Sequence, residues 1–220
     1  PADTARAFMG RKGVQPSSPV DPDKAPYYLL IVGSPEEIPF SFMNQLDVQF
    51  AVGRIDFGDD LNAYANYARS VVAAETGDLR LAPQATFFGV ANPDDASTNL
   101  SAVHLVRPMH DHLKARYSDW TFNLVVQDEA KKAQLLRLMG GPETPAFLFT
   151  ASHGIEFSKD DPQKRQVIHQ GALLCQDWPG PNAWRGEIPH AHYLAGDDLT
   201  SEAVGHNANM LGTIVFLFAC

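Results

Sequence analysis

Two apolar segments, each followed at once by a reactive side chain, constrain the fold of this 220-residue chain more than any other feature. Residues 146–151 lead directly into Ser152-His153-Gly154, and residues 213–219 lead into Cys220. Both segments are short, continuous and apolar, which predicts buried strands. The carboxyl ends of parallel strands form the edge of a sheet at which ligands bind. The sequence therefore predicts an imidazole and a thiol at one edge, a nucleophile with its proton partner.

The rest of the chain alternates between strand-like and helix-like patterns, which predicts an α/β fold. Further strands are predicted at 27–33, 50–55, 85–90 and 122–126. Helices are predicted after Asp59-Asp60, from about Thr98 and after Asp128. This alternation favours a mostly parallel sheet flanked by helices on both faces. Pro108 is expected to kink or break the second helix, because proline cannot donate the helical hydrogen bond.

Two stretches depart from this alternation. Residues 1–26 are rich in Pro, Ser, Asp and Lys and show no apolar period, which predicts a linker or lead-in. Residues 155–198, called the excursion below, are rich in Pro, Gly, Trp and charge. Its segments 166–174 and 187–194 are predicted to pair as antiparallel strands, and the excursion is predicted to shape a cleft. Thr200 is predicted to cap a short helix that extends through His206.

Composition narrows the function classes. The net charge of −9 argues against nucleic acid as a partner, because phosphate neutralisation needs clustered Lys and Arg. No stretch approaches 18 uninterrupted apolar residues, so no membrane span is predicted. The two cysteines, Cys175 and Cys220, do not make a disulfide framework. Low cysteine content and the lack of a leader weakly favour the cytoplasm, although secretion fits the sequence as well.

The residues around the two reactive side chains have the chemistry of an acyl-transfer site. An imidazole near a thiol raises the thiolate fraction and can protonate the leaving amine of an acyl substrate. Gly154 lets the backbone approach a substrate carbonyl closely, so its N–H would serve as an oxyanion donor. The N–H of Cys220 is the natural second donor.

These residues resemble those of the caspase-fold cysteine peptidases of clan CD, and within them the gingipain-like peptidases. The resemblance begins with the Ser152-His153-Gly154 turn after a buried strand and the strand that ends in Phe218-Ala219-Cys220. It extends to three segments in the first part of the chain: Tyr28-Leu29-Leu30-Ile31-Val32-Gly33, Glu37-Ile38-Pro39 and Val52-Gly53-Arg54-Ile55. In layout it covers residues 27–220.

The resemblance implies a caspase-like three-layer catalytic subdomain at 79–220, preceded by a smaller α/β subdomain at 27–78. It implies a cysteine endopeptidase, a thiol protease that hydrolyses protein or peptide substrates. His153 and Cys220 would form the catalytic dyad and pass through an acyl-enzyme, with the oxyanion held by the amides of Gly154 and Cys220. This chemistry requires no cofactor.

The chain departs from the family pattern in three respects. The separation between His153 and Cys220 is longer than is usual, and the 155–198 insertion accounts for it. Arg-specific members hold the substrate's basic side chain with an acidic residue after the strand that corresponds to 85–90. This chain has Asp94 and Asp95 in that loop, but Ser97-Thr98-Asn99 opens the helix where the acid is expected, so specificity for Arg or Lys does not carry over. A complete caspase fold continues beyond the nucleophile, so further polypeptide is expected after Cys220, in the same protein or a second chain.

Other residues have weaker functional interpretations. Glu156 and Trp184 are candidates for lining the substrate cleft, beside Asp94 and Asp95. Asp197-Asp198 would orient His153 or bind Ca²⁺, although capping of the following helix is the commoner use and a structural Ca²⁺ ion has no support in the sequence.

Two alternatives to the peptidase belong to other classes of protein. The first is a catalytically silent caspase-fold module that binds and regulates partners. The second is a metal-binding α/β domain. His190 and His192 on a strand would share one face, with Cys175 or His169 nearby, but solvated histidines on a surface strand are commoner and no metal site is predicted.

Overall fold

The computed structural model describes residues 4–15, 19–200 and 210–219 of the chain. These residues form an α/β structure that divides into two compact units, residues 1–69 and 70–220. None of the helices in the described ranges is both long enough and apolar enough to span a membrane. The subdomain boundary at 78/79, which was drawn from the resemblance, stays a prediction.

The first unit contains a two-stranded parallel sheet and two short helices. In chain order these elements are α1 (Ala5–Arg11), β1 (Tyr28–Val32), α2 (Phe40–Leu46) and β2 (Ala51–Ile55). The guanidinium of Arg54 donates hydrogen bonds to the carbonyl oxygens of Gly33, at 2.7 Å, and Ile38, at 2.5 Å. Arg54 therefore ties together the turn after β1 and the loop before α2.

Helix α1 lies within residues 1–26, which the sequence predicts to be a linker or lead-in. Its N-cap is Thr4, whose hydroxyl accepts a hydrogen bond from the amide of Ala7 at 3.1 Å. Ala5 and Met9 are buried in one cluster with Leu46 and Phe50. The helix was missed because two buried side chains in so short a segment do not make a recognisable apolar period.

Helix α3 (Leu61–Thr76) follows β2 and confirms the helix predicted after Asp59-Asp60. The carboxylate of Asp60 accepts hydrogen bonds from the amides of Asn62, at 2.9 Å, and Ala63, at 3.1 Å. These bonds satisfy amides that the first turn of a helix leaves without a partner.

The second unit is built on a four-stranded parallel sheet with the strand order β4-β3-β5-β9. The strands and helices from residue 84 to the end of the described chain are β3 (Gln84–Gly89), α4 (Ala96–Ser101), α5 (Arg107–Arg116), β4 (Thr121–Val126), α6 (Lys132–Leu138), β5 (Phe147–Ser152), β6 (Gly154–Ile155), α7 (Arg165–Ile168), β7 (Ala172–Leu174), β8 (Tyr193–Leu194) and β9 (Ile214–Ala219). The mostly parallel sheet predicted from the sequence is therefore confirmed.

Helices cover both faces of this sheet. Successive side chains of a strand point to opposite faces, so Phe87 and Phe88 of β3 belong to different cores. Phe87 packs in a cluster with Val106, and Met109 of α5 lies against the same cluster. Phe88 lies on the opposite face with Leu135 of α6.

Pro108 interrupts its helix less than expected. A π-helical turn at Ala102–Val106 joins α4 to α5, and Pro108 lies in the first turn of α5, where a missing N–H costs little. The π turn packs tightly on the sheet, since a Cβ on Gly89 would lie 2.9 Å from a methyl carbon of Val106. A glycine at the end of β3 therefore permits this close approach.

The excursion contains a small antiparallel sheet, β6-β7-β8. The predicted pairing of 166–174 with 187–194 is confirmed at its C-terminal ends, where Leu173 lies opposite Leu194 and Leu174 opposite Tyr193. The remainder differs, because α7 occupies the start of the first segment and His190–His192 forms a 3₁₀ turn. The helix predicted from Thr200 through His206 lies outside the described residues beyond Thr200.

The N-cap predicted at Asp128 is also wrong. Residues Gln127–Glu129 form a separate 3₁₀ turn, and α6 begins after Lys131. The amide of Lys132 instead donates to the carboxylate of Asp177 at 2.7 Å, so the capping acceptor comes from the excursion. A contact between residues 45 positions apart cannot be read from a local sequence pattern.

Leu148→Ala should destabilise the second unit by about 2–5 kcal/mol, since Leu148 is completely buried in the central strand β5 and truncation leaves a cavity. Urea unfolding followed by circular dichroism measures the change. Leu100→Ala is the matched control, because Leu100 is 58% exposed and its truncation should cost much less. Equal losses in the two variants would contradict the assigned core.

Candidate active site at the carboxyl edge of the parallel sheet

The carboxyl ends of three neighbouring strands lie side by side in the second unit. In the parallel register Gly89 of β3 lies opposite Ala151 of β5, and Ser152 lies opposite Ala219 of β9. The amide of Val90 donates to the carbonyl of Ala151 at 3.1 Å, which extends this alignment beyond the end of β3. The segments that follow the three strands therefore begin at the same edge.

His153, which directly follows β5, is hydrogen-bonded to Asp95 at this edge. Its Nε2 lies 2.5 Å from Oδ2 of Asp95, which belongs to the loop after β3. The carboxylate of Asp95 is 10% exposed and the imidazole 31%, so one partner is buried while the other reaches solvent. With Nε2 facing the carboxylate, Nδ1 is the ring nitrogen available to a second group.

Asp95 is also the N-cap of α4. Its Oδ1 accepts hydrogen bonds from the amides of Ser97, at 3.0 Å, and Thr98, at 3.4 Å. The two carboxylate oxygens thus have different partners, one on the helix and one on the imidazole. A buried carboxylate needs several donors to offset its desolvation, and the helix N-terminus favours its negative charge.

The excursion is joined to the loop that carries Asp95. The completely buried Asn92 donates from Nδ2 to the carbonyls of Cys175, at 3.0 Å, and Trp178, at 3.1 Å. The side-chain amide of Gln176 makes two hydrogen bonds, of 2.7 and 2.8 Å, with the backbone of Ala91. These contacts fix the loop after β3 against the excursion.

Gly180 shows how closely the backbone of the excursion approaches that of the loop after β3. Its φ is +94°, and a Cβ built on it would lie 1.8 Å from the carbonyl oxygen of Pro93. Both the backbone conformation and the space therefore require glycine.

Gly154 adjoins His153 as the first residue of β6. The amide of Leu174 donates to the carbonyl of His153 at 2.9 Å, and Gly154 lies opposite Leu173 in the antiparallel register. In this alternating pattern the residue after His153 directs its N–H away from the partner strand. The amide of Gly154 therefore faces the side of β6 opposite to β7.

Cys220, the predicted nucleophile, lies outside the described residues. The other cysteine, Cys175, is completely buried, forms no disulfide with any described residue, and lies 3.5 Å from the carbonyl of Leu173. Burial, with a smaller contribution from the negative charge of Asp177, raises the pKa of the Cys175 thiol to about 12. A protonated, inaccessible thiol is a poor nucleophile.

The remaining predicted site residues lie in different surroundings. Asp94 is exposed, with a φ of +57° in the turn before Asp95. Glu156 is exposed and lines an open cavity of about 500 Å³ in the excursion, together with Phe157 and Glu187. Trp184 donates from its indole nitrogen to the carbonyl of Glu187 at 2.8 Å and packs edge-on against His192.

The carboxylate that contacts His153 is that of Asp95, which replaces the expectation that Asp197-Asp198 orients this imidazole. Asp197 lies 3.1 Å from Nε2 of His169, and Asp198 lies 3.0 Å from Nε2 of His190. The sequence held the signal for the correct partner, because Asp95 and His153 each follow a strand that was predicted to be parallel and buried.

Comparison of the chain with protein-family models, with curated proteins and with solved structures finds no match. The function of the chain is therefore inferred from its own sequence and from the geometry of this edge.

Asp95→Ala should lower the free energy of unfolding by about 0.5–2 kcal/mol through loss of the helix cap, whereas Asp95→Asn should retain most of it, since asparagine also caps helices. Urea unfolding of the two variants measures the difference. Equal stability of Asp95→Ala and the unaltered protein would show that Oδ1 does not act as a cap.

Cys175 should remain almost unlabelled by iodoacetamide at pH 8 in the folded protein, because its pKa of about 12 and its burial leave little accessible thiolate. Mass spectrometry of tryptic peptides measures the labelled fraction over time. The same reaction in urea is the control and should label the residue fully. Rapid labelling without urea would contradict the described environment.

Proposed function

We propose that the chain is a cysteine endopeptidase with a caspase-like, gingipain-like catalytic unit, in which Cys220 is the nucleophile and His153 its proton partner. The observation that carries the proposal is the register of β5 and β9. Ser152 lies opposite Ala219, and the next residues in the two sequences are His153 and Cys220. This register supports the proposal, because nucleophilic catalysis requires an imidazole and a thiol within hydrogen-bond reach, and residues that follow paired strand ends start close together.

The proposed reaction is peptide hydrolysis in two steps. The thiol of Cys220 gives its proton to Nδ1 of His153, and the thiolate attacks the substrate carbonyl carbon. The carbon–nitrogen bond then breaks, and the departing amine takes the proton from the imidazolium, which leaves a thioester. Water, deprotonated by the imidazole, attacks the thioester and releases the carboxylic acid and the free thiol.

Asp95 acts in this proposal as a positioning residue rather than as a ligand for substrate. Its short hydrogen bond to Nε2 supports the tautomer that leaves Nδ1 as the acceptor, and its negative charge stabilises the imidazolium that forms during the reaction. The exposed Asp94, Glu156 and Trp184 remain candidates for substrate contacts.

The oxyanion would be held by backbone amides. Gly154 supports this role, because its N–H is directed away from β7 and the residue is only partly buried. The amide of Cys220 is the second donor in the proposal. Two such donors stabilise the charge that develops on the carbonyl oxygen in the transition state.

The rate of Cys220 alkylation by iodoacetamide as a function of pH tests the proposal, in the natural protein with any residues that follow Cys220. We expect rapid labelling well below the ordinary thiol pKa of about 8.5. His153→Ala should slow the reaction at neutral pH, and Asp95→Asn should slow it less. His112→Ala is the control, since His112 is an exposed histidine on α5 and should leave the rate unchanged.

An ordinary thiol profile that does not respond to His153→Ala would contradict the dyad. Cleavage of a peptide library provides the second readout, in which Cys220→Ala should abolish turnover and His153→Ala should lower it by about 10²–10⁴-fold.

A catalytically silent caspase-fold module is the second candidate, and one observation favours it. Ile214, Phe216 and Phe218 share one face of β9 and are 66%, 53% and 49% exposed. Exposed apolar patches of this kind are typical of surfaces that contact another polypeptide. An unreactive Cys220, in a protein that remains folded, would favour this candidate over the peptidase.

A further inference from the structure

Three segments of the excursion bring two imidazoles and a carboxylate together. His169 follows α7, His190 begins the 3₁₀ turn before β8, and Asp197 lies in the 3₁₀ segment after β8. One ligand atom from each residue lies within 4.8 Å of the other two. The antiparallel pairing of β7 with β8 produces this convergence, because it brings together the segments that flank the two strands.

The hydrogen bonds of His169 direct one ring nitrogen into the cluster. Its Nδ1 lies 2.9 Å from the hydroxyl of Tyr193, and its Nε2 lies 3.1 Å from Oδ2 of Asp197. A histidine ligand is commonly held in this way, with the nitrogen that does not bind the metal hydrogen-bonded to a neighbouring group. His169 is buried, so its ring orientation is fixed by packing as well.

His190 completes the donor set from the solvent side. Its ring centroid lies 4.6 Å from that of His169, and its Nε2 lies 3.9 Å from Oδ1 of Asp197 and 3.0 Å from Oδ2 of Asp198. The imidazole is 42% exposed, so it can rotate by the small amount that coordination needs. Oδ1 of Asp198 lies 2.8 Å from Nζ of Lys132, so this carboxylate offsets the positive charge of the lysine.

Asp197 has an oxygen that the described residues leave without a hydrogen bond. Its Oδ1 is inaccessible to solvent and has no hydrogen-bond partner within the described ranges. A buried carboxylate oxygen without a donor is unfavourable. A bound cation would supply the missing partner.

We propose that His169, His190 and Asp197 bind a zinc ion, with water in the fourth position. Two imidazoles and one carboxylate suit Zn²⁺, whereas Ca²⁺ prefers six to eight oxygen ligands. Ligand distances of about 2.0–2.2 Å require the donors to move together by roughly 1 Å from their present separations. The ion would join the ends of α7 and β8, and so stabilise the excursion that holds the Asp95 loop.

The proposed site differs from the sequence-based expectation in two respects. The sequence predicts no metal site, and the alternative it offers is His190 with His192, with Cys175 or His169 nearby. In the 3₁₀ turn these two rings face different neighbours, since His192 packs against Trp184 at 5.8 Å. The site does not depend on the proposed peptidase activity.

Titration of the full chain with Co²⁺ tests the proposal, because tetrahedral Co²⁺ has intense visible absorption bands and replaces Zn²⁺ in such sites. The Cys220→Ala background removes that cysteine as a competing thiolate ligand. We expect one equivalent of Co²⁺ to give the tetrahedral spectrum and Zn²⁺ to displace it. Bound Zn²⁺ should also raise the unfolding temperature.

Asp197→Asn keeps the shape of the side chain but removes its charge, and the affinity of this variant for Co²⁺ should fall by more than about 100-fold. Loss of a residue that only hydrogen-bonds to a metal ligand typically lowers the affinity by about 10–100-fold, so a larger loss indicates direct coordination. His190→Ala should have a similar effect, and the control His112→Ala should bind like the unaltered protein. Absence of the tetrahedral spectrum, or unchanged binding by folded Asp197→Asn, would overturn the proposal.

Discussion

The arrangement of the candidate active site depends on one buried carboxylate, that of Asp95. One oxygen caps α4 and the other is hydrogen-bonded to His153. The same side chain therefore fixes both the helix that follows β3 and the imidazole that follows β5. A side chain with both roles has little freedom to reorient, because movement toward either partner would break the bonds to the other. The parallel sheet brings the loops together, and Asp95 then determines which imidazole nitrogen remains for chemistry.

The excursion is part of this site rather than a separate appendage. Asn92 and Gln176 connect it to the Asp95 loop, and Asp177 caps α6 from the same stretch of chain. Polar contacts of this kind, made between buried groups, are specific because each loses free energy if its partner is displaced. A perturbation within the excursion would therefore be expected to reach His153 through the loop after β3.

The sequence predicted the parallel strands and the edge at which His153 lies, because continuous apolar runs and the residues that follow them are local features. It did not predict α1, whose few apolar residues form no recognisable period, or the capping of α6 by Asp177, which is a long-range contact. It assigned Asp95 to substrate, because the contact of this carboxylate with His153 joins residues 58 positions apart. The predicted parallel strands place the Asp95 loop and His153 at the same edge of the sheet, but which acidic side chain meets the imidazole depends on the strand order and on the loop conformation.

The histidine–carboxylate contacts of the two proposed sites lie in different surroundings, which suit different uses. Among the described residues His153 has Asp95 as its carboxylate partner, its ring is partly exposed, and it directly follows the strand that pairs with β9, which suits the transfer of a proton. His169 and His190 instead share the carboxylates of Asp197 and Asp198 and converge with them, which suits the binding of one cation by several ligands. In the two proposals the same two residue types therefore serve different chemistry: proton transfer where one imidazole meets one carboxylate, and metal binding where several ring nitrogens and a carboxylate converge.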